Sequence, residues 1–487
     1  MLAQTATEPR QLSKRLHPRL QRWFRETYPS FTQAQLLCVP AILGRQSILL
    51  TSPTGSGKTL AGFLGVFDYL LRKIDNNEAV EGVQCIYVSP LRALAYDIEK
   101  NLRSPIAGMS MEKKLRVHLR TGDTTPTDRA KFRQQGAEFL VTTPESLAVM
   151  LAQESYTTHL HRCRFVIVDE LHSFAGNKRG ADLTISLERL ERLRKIDNQR
   201  SDNVCRIGLS ATAAPVDVLS RFLVGKDRPC RIAEAPAEKK AIVEVFSPIR
   251  RDPYPPAGYT GVRLYAELAD LIRRQQSVLV FTNVRSAAEQ IGLRLKELLP
   301  ELSDQIETHH ASLDRSIRLE VEDRLKNGEL RAVVCSTSLE LGIDIGAVDL
   351  VVMVATPKGV SRAIQRIGRS GHSLNRTSHG VLVATNVSDL VEATVTAKLV
   401  RERALDPIRV QQKPFDVVAQ HNVGMVAAGS ISADEIFALV RSAYPFRELT
   451  RAEFDRILNY LEGGGEALAK QYSVVFGKIR IDKGVVS

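Results

Sequence analysis

Residues Thr51-Ser52-Pro53-Thr54-Gly55-Ser56-Gly57-Lys58-Thr59 follow a short apolar run, Ile48-Leu49-Leu50, and precede a segment with helical periodicity. In that segment Leu60, Phe63, Leu64, Phe67, Leu70 and Leu71 fall three or four apart, which makes one apolar helix face. A strand, a glycine-rich turn, Lys-Thr and a helix are the layout of a nucleotide-phosphate cradle. Glycine lets backbone N–H groups of Thr54, Gly55, Ser56 and Gly57 converge on phosphate oxygens, and the helix N-terminus adds partial positive charge. Lys58 is placed to reach the β- and γ-phosphates, and the Thr59 hydroxyl to hold Mg2+. The usual pattern starts with a further glycine, and Ser52 stands at that position.

Such a cradle needs a parallel sheet behind it, and the chain supplies two sets of buried strands. Ile48–Leu50, Cys85–Val88, Phe139–Val141, Phe165–Val168 and Arg206–Leu209 alternate with helical patterns. Val278–Phe281, Ala332–Cys335, Leu350–Val354 and Gly380–Ala384 repeat the theme. Continuous apolar runs between helices predict an α/β class with crossover helices. Prolines and glycines crowd residues 225–260, so a boundary is expected near their start, with Pro248–Gly261 as a surface loop. After Asp406-Pro407 the pattern changes to short helices, Phe415–Met425, Ala433–Val440 and Arg451–Leu461, then a strand-like Tyr472–Phe476. The expected units are 1–228, 229–405 and a winged-helix-like 406–487.

Composition narrows the partners. The formal charge of +12 over 487 residues favours a polyanion, with nucleic acid first. Aromatic residues are only 6%, so phosphate contacts are expected to outweigh base stacking. No run long and apolar enough to span a membrane is visible, and no membrane partner is expected. The six cysteines form no C-x-x-C pair, which argues against zinc or iron–sulfur ligation and fits a cytoplasmic, reducing compartment. The basic N-terminal stretch lacks the apolar core of a secretory signal. Its Leu16, Leu20, Trp23 and Phe24 read as the first helix of the fold.

A phosphate cradle also needs a carboxylate at the end of a neighbouring buried strand. Phe165-Val166-Ile167-Val168-Asp169-Glu170-Leu171-His172 has this form. Asp169 is placed to bind Mg2+ through water, and Glu170 to orient or deprotonate the attacking water. Hydrolysis further needs a cation where γ-phosphate charge develops. Gln365-Arg366-Ile367-Gly368-Arg369-Ser370-Gly371-His372 offers two planar guanidinium groups from the second half of the chain.

Taken in order, these motifs resemble the superfamily 2 helicases of the DExH type, over nearly the whole chain to about residue 400. Phe31-Thr32-Gln33-Ala34-Gln35 resembles the segment that reads adenine, which implicates Gln35. Ser89-Pro90-Leu91-Arg92, Thr121-Gly122-Asp123 and Thr142-Thr143-Pro144-Glu145 resemble strand-contacting motifs. Asp169–His172 is the DExH box, and Ser210-Ala211-Thr212 is the motif that couples hydrolysis to domain movement in the family. Val280-Phe281-Thr282-Asn283 resembles motif IV, Ser336–Asp344 motif V and Gln365–His372 motif VI. The resemblance therefore implies Gly342 and Asp344 at the nucleotide, and His172, Ser210, Thr212 and Gln365 in coupling. It implies Pro90, Arg92, Thr121, Gly122, Thr143, Thr282, Asn283 and Thr337 at nucleic acid. The catalytic arginine is expected to be Arg369, with Arg366 second, because His372 lacks the permanent charge that many relatives carry at its position.

Four finer features resemble the large helicase-related (Lhr) family. They are Asn177-Lys178-Arg179-Gly180, Ser186-Leu187-Glu188-Arg189-Leu190, the closing His372 and Lys413-Pro414-Phe415-Asp416-Val417-Val418-Ala419-Gln420-His421. The resemblance implies two RecA-like domains and a winged helix, using ATP and Mg2+. It further implies a monomer acting on single-stranded DNA, tailed duplexes or RNA–DNA hybrids, with 3′→5′ movement and a setting in DNA repair. Two other readings stay open: an RNA helicase, since the motor motifs are shared, and an ATP-switched binding or annealing protein that does not unwind processively.

Overall fold

The computed structural model of the chain describes residues 2–53, 55–196, 203–236, 241–248, 259–340, 345–346, 348–371, 377–464 and 477–487. Thr54, Gly342, Asp344, His372, the strand-like Tyr472–Phe476 and residues 249–258 of the expected loop lie outside them.

Each continuous apolar run forms a strand buried on both faces. The first sheet contains β1 (Leu2–Ala3), β2 (Ile48–Thr51), β3 (Cys85–Val88), β4 (Val117–Arg120), β5 (Phe139–Thr142), β6 (Phe165–Val168), β7 (Cys205–Ser210) and β8 (Arg231–Glu234). All pair in parallel, in the order β1-β8-β2-β7-β6-β3-β5-β4. The second sheet contains β9 (Ala241–Phe246), β10 (Val278–Phe281), β11 (Ile306–His309), β12 (Ala332–Cys335), β13 (Leu350–Val354) and β14 (Ser378–Val383). It too is parallel, in the order β11-β12-β10-β13-β14-β9. Apolar side chains fill both faces of each sheet. Because the strands are parallel, the ends of β2, β3, β5, β6 and β7 open on one edge of the first sheet. Loops at that edge are where open α/β sheets bind ligands.

One boundary differs from expectation. β8 follows the expected break at 228, yet it is hydrogen-bonded to β2 in the first sheet. The chain crosses to the second sheet between Glu234 and Ala241.

Among the described residues the last part has three α-helices, Phe415–Val426, Ala433–Ser442 and Arg451–Gly463. With them goes a small antiparallel sheet of β15 (Ile431–Ser432), β16 (Ile481–Asp482) and β17 (Val485–Val486), which gives a winged helix. It docks on the helix Lys178–Ile196 of the first domain, whose Ala181 and Ile185 share a core with Val417, Val418 and Met425. Polar contacts fix the register. His421 Nε2 bonds Asp182 Oδ1 at 2.9 Å, Arg189 donates to the Gly424 carbonyl at 3.0 Å, and Lys178 pairs with Asp416 at 2.6 Å. Burial lowers the pKa of His421, so its neutral form is favoured there. Stretches of the chain that carry the Lhr resemblance, around 177–190 and 413–421, thus meet as two halves of one interface. Among the described residues no helix is long and apolar enough to cross a membrane.

The helix that carries Lys58, Lys58–Asp75, lies against the helix Gln33–Leu43 at very close range. A Cβ on Gly65 would stand 2.4 Å from Ile42 Cγ2, so only glycine fits without a shift. Gly65→Val is therefore expected to force these helices apart and cost about 1–3 kcal/mol. A lowered unfolding midpoint in a thermal melt checks this, and an unchanged midpoint contradicts it.

Candidate active site

The loop after β2 uses positive φ at Gly55 (77°) and Gly57 (78°), and Gly57 caps the helix Lys58–Asp75. Ser52 needs no such freedom. It is fully buried, and its hydroxyl meets Ser56 Oγ at 2.7 Å. Ser56 in turn donates to the Pro53 carbonyl at 2.8 Å. Lys58 Nζ donates to the carbonyls of Ser52 and Pro53 at 3.1 and 3.3 Å, which holds the ammonium over the loop. Gln35 closes the loop from the other side. Its carbonyl accepts the Thr32 N–H at 3.0 Å in a capping box, and a Cβ on Gly57 would sit 3.0 Å from its Nε2.

These groups share one cavity of about 770 Å3, whose lining includes Gln35, Gly55, Gly57, Lys58, Thr59, Asp169, Glu170 and, from the second domain, Arg369. Asp169 and Glu170 follow β6, and Glu170 takes a left-handed φ of 47°, an unfavourable conformation of the kind that collects at functional sites. Asp169 Oδ2 accepts the Tyr87 hydroxyl, and Oδ1 accepts the Glu170 N–H at 2.9 Å. Burial first, then the Glu170 charge, pushes the Asp169 carboxyl up to about 6. Burial also works against Glu170, but Lys58, His172 and Arg369 outweigh it and hold that carboxyl below its ordinary value. Two adjacent buried acids beside the Thr59 hydroxyl are a hard-oxygen donor set that suits Mg2+. No cluster of three or more His, Cys, Asp or Glu ligands exists among the described residues.

The two arginines of motif VI part company. Arg369 is buried and lines the cavity. Arg366 does not enter it. Its Nε and Nη2 donate to Glu340 Oε2 at 3.1 and 3.0 Å, and its guanidinium lies 4.9 Å from the Phe281 ring centroid. The expected catalytic role for Arg366 is corrected accordingly: it ties motif VI to motif V inside the second domain.

The coupling residues form a chain across the domains. Gln365 Nε2 lies 2.6 Å from His172 Nε2, and His172 Nδ1 lies 3.0 Å from Ser210 Oγ. Ser210 Oγ donates to the Ala211 carbonyl at 2.8 Å. One proton arrangement satisfies every member: Gln365 donates to Nε2, and Nδ1–H donates to Ser210. It requires neutral His172, and burial lowers its pKa in agreement. Thr212 is exposed and lines a neighbouring interdomain cavity with Gln365.

Away from this cleft, Pro90, Arg92, Gly122, Thr143 and Thr337 line a second groove of about 600 Å3 that both domains wall. Three other expected contacts lie elsewhere. Thr121 is buried in a turn where its hydroxyl accepts the Asp123 N–H. The buried Thr282 donates its hydroxyl to the Val284 carbonyl, and Asn283 donates to the Thr356 carbonyl at 2.9 Å. Five arginines line the groove against Asp123 and Glu145: Arg92 was expected there, Arg179 was singled out only as part of the 177–180 stretch, and Arg120, Arg129 and Arg318 were missed. Single arginines outside named motifs carry no spacing signal, so only the fold gathers them. Tyr87 was missed for the same reason, being one aromatic residue within an ordinary apolar strand.

Known proteins share this layout. The DEAD/DEAH box helicase family matches residues 32–219, the helicase conserved C-terminal domain 263–374, and the winged-helix domain of large helicase-related proteins 398–485. The chain belongs to the superfamily 2 DExH-box helicases and is most like their Lhr family. It is 42% identical over 480 residues to the ATP-dependent helicase Lhr-Core of Methanothermobacter thermautotrophicus, covering 96% of this chain and 55% of that one. It is 35% identical over 501 residues to the Lhr helicase/uracil glycosylase of Escherichia coli, covering 92% and 32%. The chain thus spans about half, or less, of the length of these Lhr relatives. Among solved structures, the Mycobacterium smegmatis helicase Lhr bound to ssDNA and AMP-PNP superposes with a TM-score of 0.85 at 36% identity, over 97% of this chain and 60% of that one.

For an Lhr-type chain the His172 bridge should transmit the state of one site to the other. Gln365→Ala removes a hydrogen bond worth about 0.5–1.5 kcal/mol, so stimulation of ATP turnover by nucleic acid is expected to fall about 2- to 12-fold. Because burial depresses the pKa of His172, the bridge is complete above its ordinary value of about 6.5. It is lost as pH falls through the depressed value. Stimulation in the wild type should drop on acidification while Gln365→Ala stays flat, measured as turnover against pH; parallel profiles contradict the role.

Proposed function

We propose that the chain is the motor part of an ATP-dependent helicase or translocase that moves 3′→5′ along single-stranded DNA and opens DNA or RNA–DNA duplexes. The observation that carries the reading is Arg369 of the second domain lining the cavity of Lys58, Asp169 and Glu170 of the first. A nucleotide there would join the two domains, and its loss would release them.

Lys58 and Arg369 would meet the negative charge of the transferring phosphate from opposite walls. Glu170, held below its ordinary value by neighbouring charge with Lys58 first and Arg369 contributing, is the base or orienting group for water. Thr59 and Asp169 would hold Mg2+, which supplies charge neutralisation at the phosphates when bound. Gln35 faces the cradle from the side where a base would lie.

The five-arginine groove supports a phosphate-gripping role with little sequence discrimination and strong salt dependence. The choice of DNA is supported by the relative that binds ssDNA together with AMP-PNP. The 3′→5′ direction rests on the family resemblance.

ATP turnover measured against tailed DNA, RNA and hybrid strands of equal length tests the reading, with Glu170→Gln as the blank. Single-stranded DNA is expected to stimulate most, and a 3′-tailed duplex to be displaced. Equal or greater stimulation by RNA would favour an RNA helicase. Turnover without displacement would favour an ATP-switched binder.

A further inference from the structure

Tyr87 belongs to none of the helicase motifs, yet it is hydrogen-bonded to Asp169, one of the two protein groups expected to hold the cation. It lies on β3, is fully buried, and its ring stacks on Phe63 with centroids 5.3 Å apart and planes at 20°. Phe63 is one turn beyond Thr59 on the same helix, so the stack holds that helix face against β3. The Tyr87 hydroxyl donates to Asp169 Oδ2.

A phenol has one O–H, and here it goes to a carboxylate, which only accepts. Asp169 is fixed in the same step, since Oδ2 takes the phenol and Oδ1 the Glu170 N–H.

We propose that Tyr87 is a positioning residue for the divalent cation, orienting the Asp169 carboxylate through a Tyr87-to-Asp169 relay. The assignment rests on the reading of this cleft as an ATP–Mg2+ site. An ordinary core tyrosine whose hydroxyl merely finds a partner would support packing alone, and the two roles separate by experiment.

The test is binding of a fluorescent, non-hydrolysable ATP analogue, titrated once in excess Mg2+ and once in EDTA. The ratio of the two dissociation constants reports the cation's contribution without turnover. Tyr87→Phe keeps the ring and its stack but removes the relay. It is expected to shrink the ratio by about 10- to 100-fold, the usual loss when a partner of a metal ligand is removed, with affinity in EDTA unchanged. Replacing Tyr87 by 4-fluorophenylalanine fills the hydroxyl's volume without a donor and should give the same loss, so a folding defect of the phenylalanine variant does not block the test. A wild-type ratio in both Tyr87 variants, or equal weakening in Mg2+ and EDTA, overturns the relay. If the wild-type protein itself shows no Mg2+ enhancement, it is the ATP–Mg2+ reading that fails.

Discussion

A hydrogen-bond chain from Gln365 through His172 to Ser210 crosses between the two sheets beside the phosphate cradle. Every group in it has one role to play, and the chain is complete only with a neutral imidazole between the domains. Each member starts from a different motif at the end of a parallel strand or on the helix Val360–Ile367. The bridge is possible because the strands of each sheet run the same way and deliver their loops to a shared cleft. Arg369 enters that cleft from the same segment as Gln365, so placement of the arginine and formation of the bridge depend on one helix.

The motor core was readable because buried parallel strands leave continuous apolar runs. β2, β3, β5, β6, β7, β10, β12, β13 and β14 all announce themselves this way. The strands that went unread are the polar or peripheral ones. β4, Val-His-Leu-Arg, lies at the sheet edge, and β11 carries Glu307, Thr308 and His309. β8 and β9 are largely exposed or half-exposed, so neither shows a solid apolar block. Missing β8 is what displaced the expected boundary. At the cleft, Lys58, Asp169, Glu170 and Arg369 were legible as an ordered pattern of residue types, and the structure brings all four to one cavity. Arg366 was misread because sequence gives two arginines three apart and cannot say that Glu340 claims the first. Arg120, Arg129, Arg318 and Tyr87 belong to no pattern, and only three-dimensional proximity brings them to the groove and the cleft.

The helix Lys178–Ile196 joins these parts mechanically. It starts a few residues after the DExH box, and its Arg179 donates to the Pro90 carbonyl at 2.9 Å on the wall of the arginine groove. Its outer face carries the winged helix through Asp182, Ile185 and Arg189. The segment after the DExH box, the groove and the winged helix are therefore attached to one helix of the first domain. The second domain meets that assembly through Arg369 and Gln365, and a cation–π contact of 4.0 Å between Arg315 and Tyr96 adds a point of attachment near the groove. Closure of the ATP cleft would shift Thr337 and Arg318 relative to Arg92 and Arg179, and so move one side of the groove against the other.

The most direct test of this account follows the distance between the domains, with one fluorophore on each, as AMP-PNP and Mg2+ are added. The wild-type protein should close, and Arg369→Ala should bind the nucleotide yet stay open and lose most ATP turnover, whereas Arg366→Ala should bind and close. An Arg369→Ala variant that closes and hydrolyses ATP like the wild type would contradict the claim that this arginine links the nucleotide to domain closure.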